Sequence, residues 1–161
     1  MLEGSSLSPV LASLQDVLRR RHLTVAVAES CTGGLLAAAL TDLPGSSESF
    51  LGGMVTYANE AKIGILGVDE AMLKKHGAVS AEVAEQMAAG ATEVFGADVG
   101  LGVTGVAGPA SEGDKPVGLT FIGARYGDRS LVRRYHWNGG RAANRVASVE
   151  AAIQLATELL S

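Results

Sequence analysis

The chain has 161 residues, enough for one domain with a real core. With 47% hydrophobic and 19% charged residues it is too apolar for disorder, and a net charge of −4 argues against a nonspecific grip on nucleic acid through phosphate neutralisation. Its single cysteine, Cys31, excludes an internal disulfide and a zinc site built on a cysteine pair, which fits a reducing cytoplasm.

Met1 to Pro9 has no basic start followed by an apolar run, so no signal peptide is expected. No apolar stretch approaches the ~18 residues of a membrane span. Leu7, Val10, Leu11, Leu14, Val17 and Leu18 recur at helical spacing, with Ser8 as cap and Pro9 at the first helical position. Arg19-Arg20-Arg21 fits the last turn, where cations favour the helix C-terminus, and reads as a solvated basic end. Thr24 to Val27 is an apolar run that predicts a buried strand. Leu35 to Leu40 predicts a helix. Pro44-Gly45-Ser46-Ser47 is a loop. Phe50 to Ala58 predicts a second strand, with Gly52-Gly53 marking a bulge or a close approach.

Asn59 to Leu66 predicts a short helix capped by Asn59, and Glu70 to Lys75 another. Ser80 caps a longer helix whose apolar stripe is Val83, Met87, Ala91 and Val94. Val99 to Val103 is a buried strand. Val117 to Tyr126 and Ser130 to Trp137 are strands joined by the hairpin dipeptide Gly127-Asp128. A last helix from about Ala142 to Leu160 carries Val146, Val149, Ile153, Ala156 and Leu160 on one face. Strands alternating with helices predict an α/β fold with a mostly parallel sheet, made mixed by the late hairpin. In such sheets ligands bind beyond the carboxyl ends of the strands. Three glycine-rich turns fall there: Ser30 to Gly34, Thr104 to Gly108, and Asn138 to Arg141.

Ala28-Glu29-Ser30-Cys31-Thr32-Gly33-Gly34 carries the most chemistry. It joins the first strand to a helix, whose first N–H groups lack internal partners and carry the positive end of the macrodipole. Ser30 there fits a nucleophile, an anion clamp or a plain helix cap. Cys31 is the alternative nucleophile, or a small buried hydrophobe. A serine nucleophile needs a base. His22 precedes a strand, His76 ends a helix, and His136 lies within a strand, so none suits a triad. Lys62 follows the second strand. Taken alone it reads as a solvated helix residue, and beside a serine it can be the base. Gly100-Leu101-Gly102-Val103-Thr104-Gly105 fits a dinucleotide fingerprint by letter only. Its glycines lie inside a strand, no helix follows, and Arg125 stands where an acid is needed. Asn138-Gly139-Gly140-Arg141, opening the last helix, reads as a phosphate site or as a simple turn with a surface arginine. Arg129, Arg133, Arg134, Arg141 and Arg145 cluster late in the sequence as a possible basic patch.

Together these residues resemble the CinA C-terminal domain family, the nicotinamide mononucleotide deamidases. The matching stretches are Val27 to Gly34, Pro44 to Ser47, Val55 to Lys62, Leu66 to Val68, His76 to Ser80, Val103 to Pro109, and Lys115 to Gly118. They run in family order and cover the chain from about Leu7 to its end. The chain departs from the family in the polar loop Ala110-Ser111-Glu112-Gly113-Asp114, which is often richer in glycine.

The resemblance implies one amidohydrolase domain spanning 1–161, a three-layer α/β/α sandwich with a mixed, mostly parallel sheet. Some family members carry a separate domain before it. It also implies hydrolysis of the carboxamide of nicotinamide mononucleotide to nicotinate mononucleotide and ammonia, a step of pyridine-nucleotide salvage. The nucleophile falls on Ser30 and the lysine base on Lys62, with Tyr57 bonding the pair or stacking on the pyridine. Backbone groups at Thr32, Gly33 and Gly34 would hold the oxyanion. Thr104, Gly105 and Gly108 would hold the ligand's polar groups, and Arg141 or Arg145 its phosphate. No metal or other cofactor is called for. The expected partner is a small-molecule nucleotide, with no nucleic acid and no membrane; a homo-oligomer is left open. The competing reading is a non-catalytic nucleotide-binding or regulatory module linked to competence or DNA damage.

Overall fold

The structure, a computed structural model, describes residues 7–161; the side chain of Ser8 lies outside the description. The expected Ser8 cap and the leader reading of Met1 to Pro9 therefore fall wholly or partly outside the described residues. Twelve elements follow in order: α1 (Leu7–Arg21), β1 (Val25–Glu29), α2 (Leu35–Leu40), a 3-10 turn (Ser46–Glu48), β2 (Phe50–Val55), α3 (Asn59–Leu66), α4 (Glu70–His76), α5 (Ala81–Phe95), β3 (Val99–Gly105), β4 (Leu119–Tyr126), β5 (Arg129–His136) and α6 (Arg141–Leu159).

The sheet has the order β2-β1-β3-β4-β5. β1 pairs in parallel with β2 and β3, while β3–β4 and β4–β5 are antiparallel, so only β4 runs against the other four. Side chains alternate across a strand. Val25 and Val27 of β1 point to one face with Val99, Leu101 and Val103 of β3, and pack under α1, α2 and α6. Ala26 and Ala28 point to the other face, under α5 with Leu66, Val68 and Leu73. The result is a helix–sheet–helix sandwich. Each large side chain fully buried in it contributes roughly 1.5–3 kcal/mol relative to exposure.

The α5 face of the sheet is paved with small residues for a steric reason. A Cβ on Gly100 would lie 2.1 Å from the Ala88 carbonyl oxygen, and one on Gly102 2.5 Å from that of Ala84. A Cβ on Gly123 of β4 would stand 2.6 Å from the same Ala84 oxygen. These glycines admit helix backbone, not a dinucleotide, which accounts for the misleading fingerprint. Gly52 and Gly53 mark both features expected of them. The β1–β2 register skips Leu51 in a bulge, and Cβ atoms there would meet Phe95 and Val27 at 2.4 and 2.6 Å.

Several local expectations shift. β2 ends at Val55, not Ala58, because the chain leaves the sheet to enter α3. The N-cap of α3 is Ala58, without a side-chain bond, and Asn59 is its first residue. Ser80 does cap α5, its Oγ accepting from the Val83 N–H at 3.3 Å. Val94 and Val146, placed on apolar stripes by periodicity, are 43% and 37% exposed at the margins of their helices' buried faces. No described helix is long and apolar enough to cross a membrane.

Candidate active site

Strand order builds the site. The carboxyl ends of β2, β1 and β3 lie side by side, so the residues just past them become neighbours. Ser30 N–H donates to the Val103 carbonyl at 3.0 Å, and Thr56 N–H to the Glu29 carbonyl at 2.8 Å. These bonds extend both ladders by one residue and place Ser30 between Thr56 and the end of β3.

Lys62 arrives from the first turn of α3. Helical side chains tilt toward the helix N-terminus, and this one folds back over the segment that enters α3. Its Nζ lies 3.0 Å from Ser30 Oγ, 2.7 Å from the Thr56 carbonyl oxygen and 3.1 Å from that of Tyr57. The residue is 1% exposed. Burial pushes its ammonium below the usual lysine pKa, and the negative charge of Glu112 opposes that shift. The two carbonyls match the two N–H donors of a neutral amine. Its lone pair then faces Ser30 Oγ, as a general base requires.

The turn between β1 and α2 is tied from below. Glu29, fully buried, turns its carboxylate into the start of α2 and accepts from the N–H groups of Leu36 at 2.9 Å and Ala37 at 3.0 Å. A carboxylate there satisfies orphan donors and the positive helix end together. Glu29 is thus the cap, not Ser30, and it fills the anion position the sequence offered to a ligand. Gly33 N–H is committed to the Ser30 carbonyl at 3.1 Å. Thr32 and Gly34 N–H have no partner among the described residues.

Ser30 and Lys62 open into a cavity of about 230 Å³, lined also by Cys31, Tyr57, Asn59, Ala78, Val79, Thr104, Gly105 and Glu112. Thr104 is buried and donates from Oγ1 to the Ala78 carbonyl at 2.8 Å, so it braces the wall. Tyr57 meets the serine–lysine pair through its carbonyl. Its ring is exposed, and its hydroxyl accepts from Arg141 Nη2 at 3.4 Å. Arg141 also donates to the Gly108 carbonyl at 2.7 Å, which puts this guanidinium beside the cavity. Arg145, one turn along α6, donates to the Thr32 carbonyl at 2.8 Å, and its buried Nε has no partner among the described residues. Of the other late arginines, Arg129 bonds the Leu159 carbonyl and Arg133 pairs with Glu158.

Cys31 lies beside Ser30 but sits in the main core, and burial pushes its thiol up to about 11. That shift disfavours the thiolate, the form in which Cys31 would act as a nucleophile. None of the three histidines lines the cavity. His76 faces Glu82 at 3.7 Å, and His136 bonds the Val117 carbonyl at 3.1 Å. Sequence reasoning gave no role to Glu29 or Glu112. The signal for Glu29 was an acid ending an apolar strand just before a helix start.

A family model described as the CinA C-terminal domain matches residues 8–160. A putative competence-damage inducible protein of Moorella thermoacetica is 51% identical over 140 residues, covering 86% of this chain and 34% of its own length. A CinA-like protein of Chloroherpeton thalassium is 46% identical, covering 95% of this chain and 38% of its own length. The chain thus spans little more than a third of these curated relatives. Among solved structures, a competence/damage inducible protein from Agrobacterium tumefaciens superposes with a TM-score of 0.89 at 37% identity, covering 94% of this chain and 96% of that one. A CinA superfamily protein from Escherichia coli gives 0.90 at 31% identity, covering 96% and 90%.

Proposed function

Because the chain belongs to the CinA C-terminal domain family, we propose that its serine–lysine pair hydrolyses the carboxamide of nicotinamide mononucleotide to nicotinate mononucleotide and ammonia. The observation that carries this reading is the buried Lys62 amine, 3.0 Å from Ser30 Oγ and held by two carbonyls. A lysine has little reason to be buried without a carboxylate partner unless its amine is wanted in the neutral form.

In this mechanism Ser30 Oγ attacks the carboxamide carbon as its proton passes to Lys62 Nζ. The tetrahedral oxyanion is met by N–H groups of the Ser30–Gly34 turn, with those of Thr32 and Gly34 uncommitted. Lys62 returns the proton to the leaving nitrogen, and ammonia departs. Water, deprotonated by the same amine, then attacks the acyl-serine and releases the carboxylate. Tyr57 and Thr104 shape the walls. Arg141, with the Gly105 to Gly108 turn, holds the phosphate at the mouth, while Arg145 holds the Thr32 carbonyl of the Ser30 turn.

Purified protein incubated with nicotinamide mononucleotide tests this directly. Ammonia and nicotinate mononucleotide should appear in equal amounts, and Ser30→Ala should abolish both. Saturable binding of the nucleotide with no ammonia released would instead assign a binding module.

A further inference from the structure

Glu112 is the one acidic residue lining the cavity, and the mechanism does not use it. A tight turn fixes its backbone: Glu112 N–H donates to the Lys115 carbonyl at 3.1 Å, and Lys115 N–H to the Glu112 carbonyl at 2.9 Å. Gly113 takes the turn's positive φ of 57°. The carboxylate has no hydrogen bond or ion pair among the described residues. On its outer side it shares a second hollow with Lys75, His76, Asp114 and Lys115, none of which pairs with it. On its inner side it shares the cavity with Ser30 and Lys62.

The charges on the cavity wall then follow from the chemistry. Lys62 acts as a base only when neutral, and the Cys31 thiol is neutral too. In the reactive form, Glu112 carries the one formal charge among the lining residues. A single carboxylate on the wall of a small cavity attracts a cation and repels an anion.

We propose that Glu112 is a specificity-determining residue, selecting substrates whose reacting amide is borne by a cationic ring. The proposal rests on the amidase reading above. It has a second consequence for the same site. Hydrolysis turns a neutral carboxamide into a carboxylate beside Ser30, and the Glu112 charge disfavours that product where it forms. Charge is therefore distributed along the site to suit a zwitterion. A carboxylate faces the cationic ring, and Arg141 stands at the mouth for the anionic phosphate.

Ammonia release can be compared for nicotinamide mononucleotide and benzamide riboside 5′-phosphate, which presents the same carboxamide on a neutral ring. The wild-type protein should prefer the cationic substrate. Glu112→Gln should lower that ratio of kcat/KM values about fivefold, the scale of a solvent-screened charge pair. Glu112→Asp should keep part of it. Affinity for nicotinate mononucleotide, whose ring carboxylate offsets its ring charge, should fall less in Glu112→Gln than affinity for nicotinamide mononucleotide. An unchanged ratio in Glu112→Gln, or an equal loss on both substrates, overturns this role and leaves the amidase reading in place. No ammonia from either substrate with the wild-type protein overturns the amidase reading, and this proposal with it.

Discussion

The Glu29 carboxylate and the Leu36 N–H are joined at 2.9 Å across the turn that carries Ser30. One buried acid thereby fixes the geometry of the residue that follows it. Glu29→Gln keeps one acceptor oxygen but loses the charge, and Glu29→Ala leaves one buried and one half-buried N–H group without a partner. A charge-assisted hydrogen bond is worth roughly 1.5–3 kcal/mol. Urea melts should therefore show Glu29→Ala as the less stable variant, with Glu29→Gln between it and wild type. Equal stability of all three would mean that the α2 start is held by packing alone.

Ser30→Ala removes the proposed attacking oxygen while Glu29 keeps the helix start in place. Ammonia release should fall to background with an unchanged melting curve. Cys31→Ala should retain most activity, and Cys31 should alkylate slowly at pH 7.5, since its thiol is pushed up to about 11. Activity that follows Cys31 and survives Ser30→Ala would move the nucleophile by one residue.

Burial lowers the Lys62 pKa in the folded protein, and the negative charge of Glu112 acts against it. The wild-type rate should rise with pH as Lys62 loses its proton, with a midpoint below the ordinary lysine value of about 10.4. Glu112→Gln removes a charge that favours the ammonium, so its midpoint should move lower still. Stability carries the same sign. The unfolded chain holds the Lys62 proton more tightly than the folded one, so wild-type stability gains from rising pH between the two pKa values. That gain should be missing from Lys62→Met, which urea melts across pH 7 to 10 would detect. Lys62→Arg, unable to give up its proton, should be as inactive as Lys62→Met.

The two arginines should separate kinetically. Arg141 contacts Tyr57 and Gly108 from an exposed position, so Arg141→Ala should raise KM for the phosphorylated substrate about tenfold and spare the dephosphorylated riboside. Arg145 holds the Thr32 carbonyl in the Ser30 turn, so Arg145→Ala should lower kcat on both substrates. Preserved selectivity for the phosphate in both variants would shift recognition to the Gly105 to Gly108 turn.

Periodicity located the fold well where one face is buried. The Ser80 cap and the Gly127-Asp128 hairpin stand as their patterns require, and the stripes of α5 and α6 are buried apart from Val94 and Val146. It failed at stripe margins such as Val94, because spacing alone cannot say how wide the covering sheet is. Ser30 and Lys62 were legible as residue types at strand ends. Their pairing came from the family resemblance and not from spacing, because a 32-residue separation is closed by parallel β1–β2 pairing and the back-fold of Lys62. Glu29 was hidden for a different reason. A fully buried acid looks like a solvated one until its two N–H partners are seen.

The glycine paving under α5 also works as a gauge for the chamber beside Ser30. Ala78 and Val79 form one chamber wall, and they lead directly into Ser80 and α5. How far that wall stands from the serine is thus set by how closely α5 lies on Gly100, Gly102 and Gly123. One methyl added at Gly102 would meet the Ala84 carbonyl at 2.5 Å and lever the helix outward, carrying the wall with it. Chamber width in this fold is therefore written partly in the middle of the sheet, at positions that do not line the chamber.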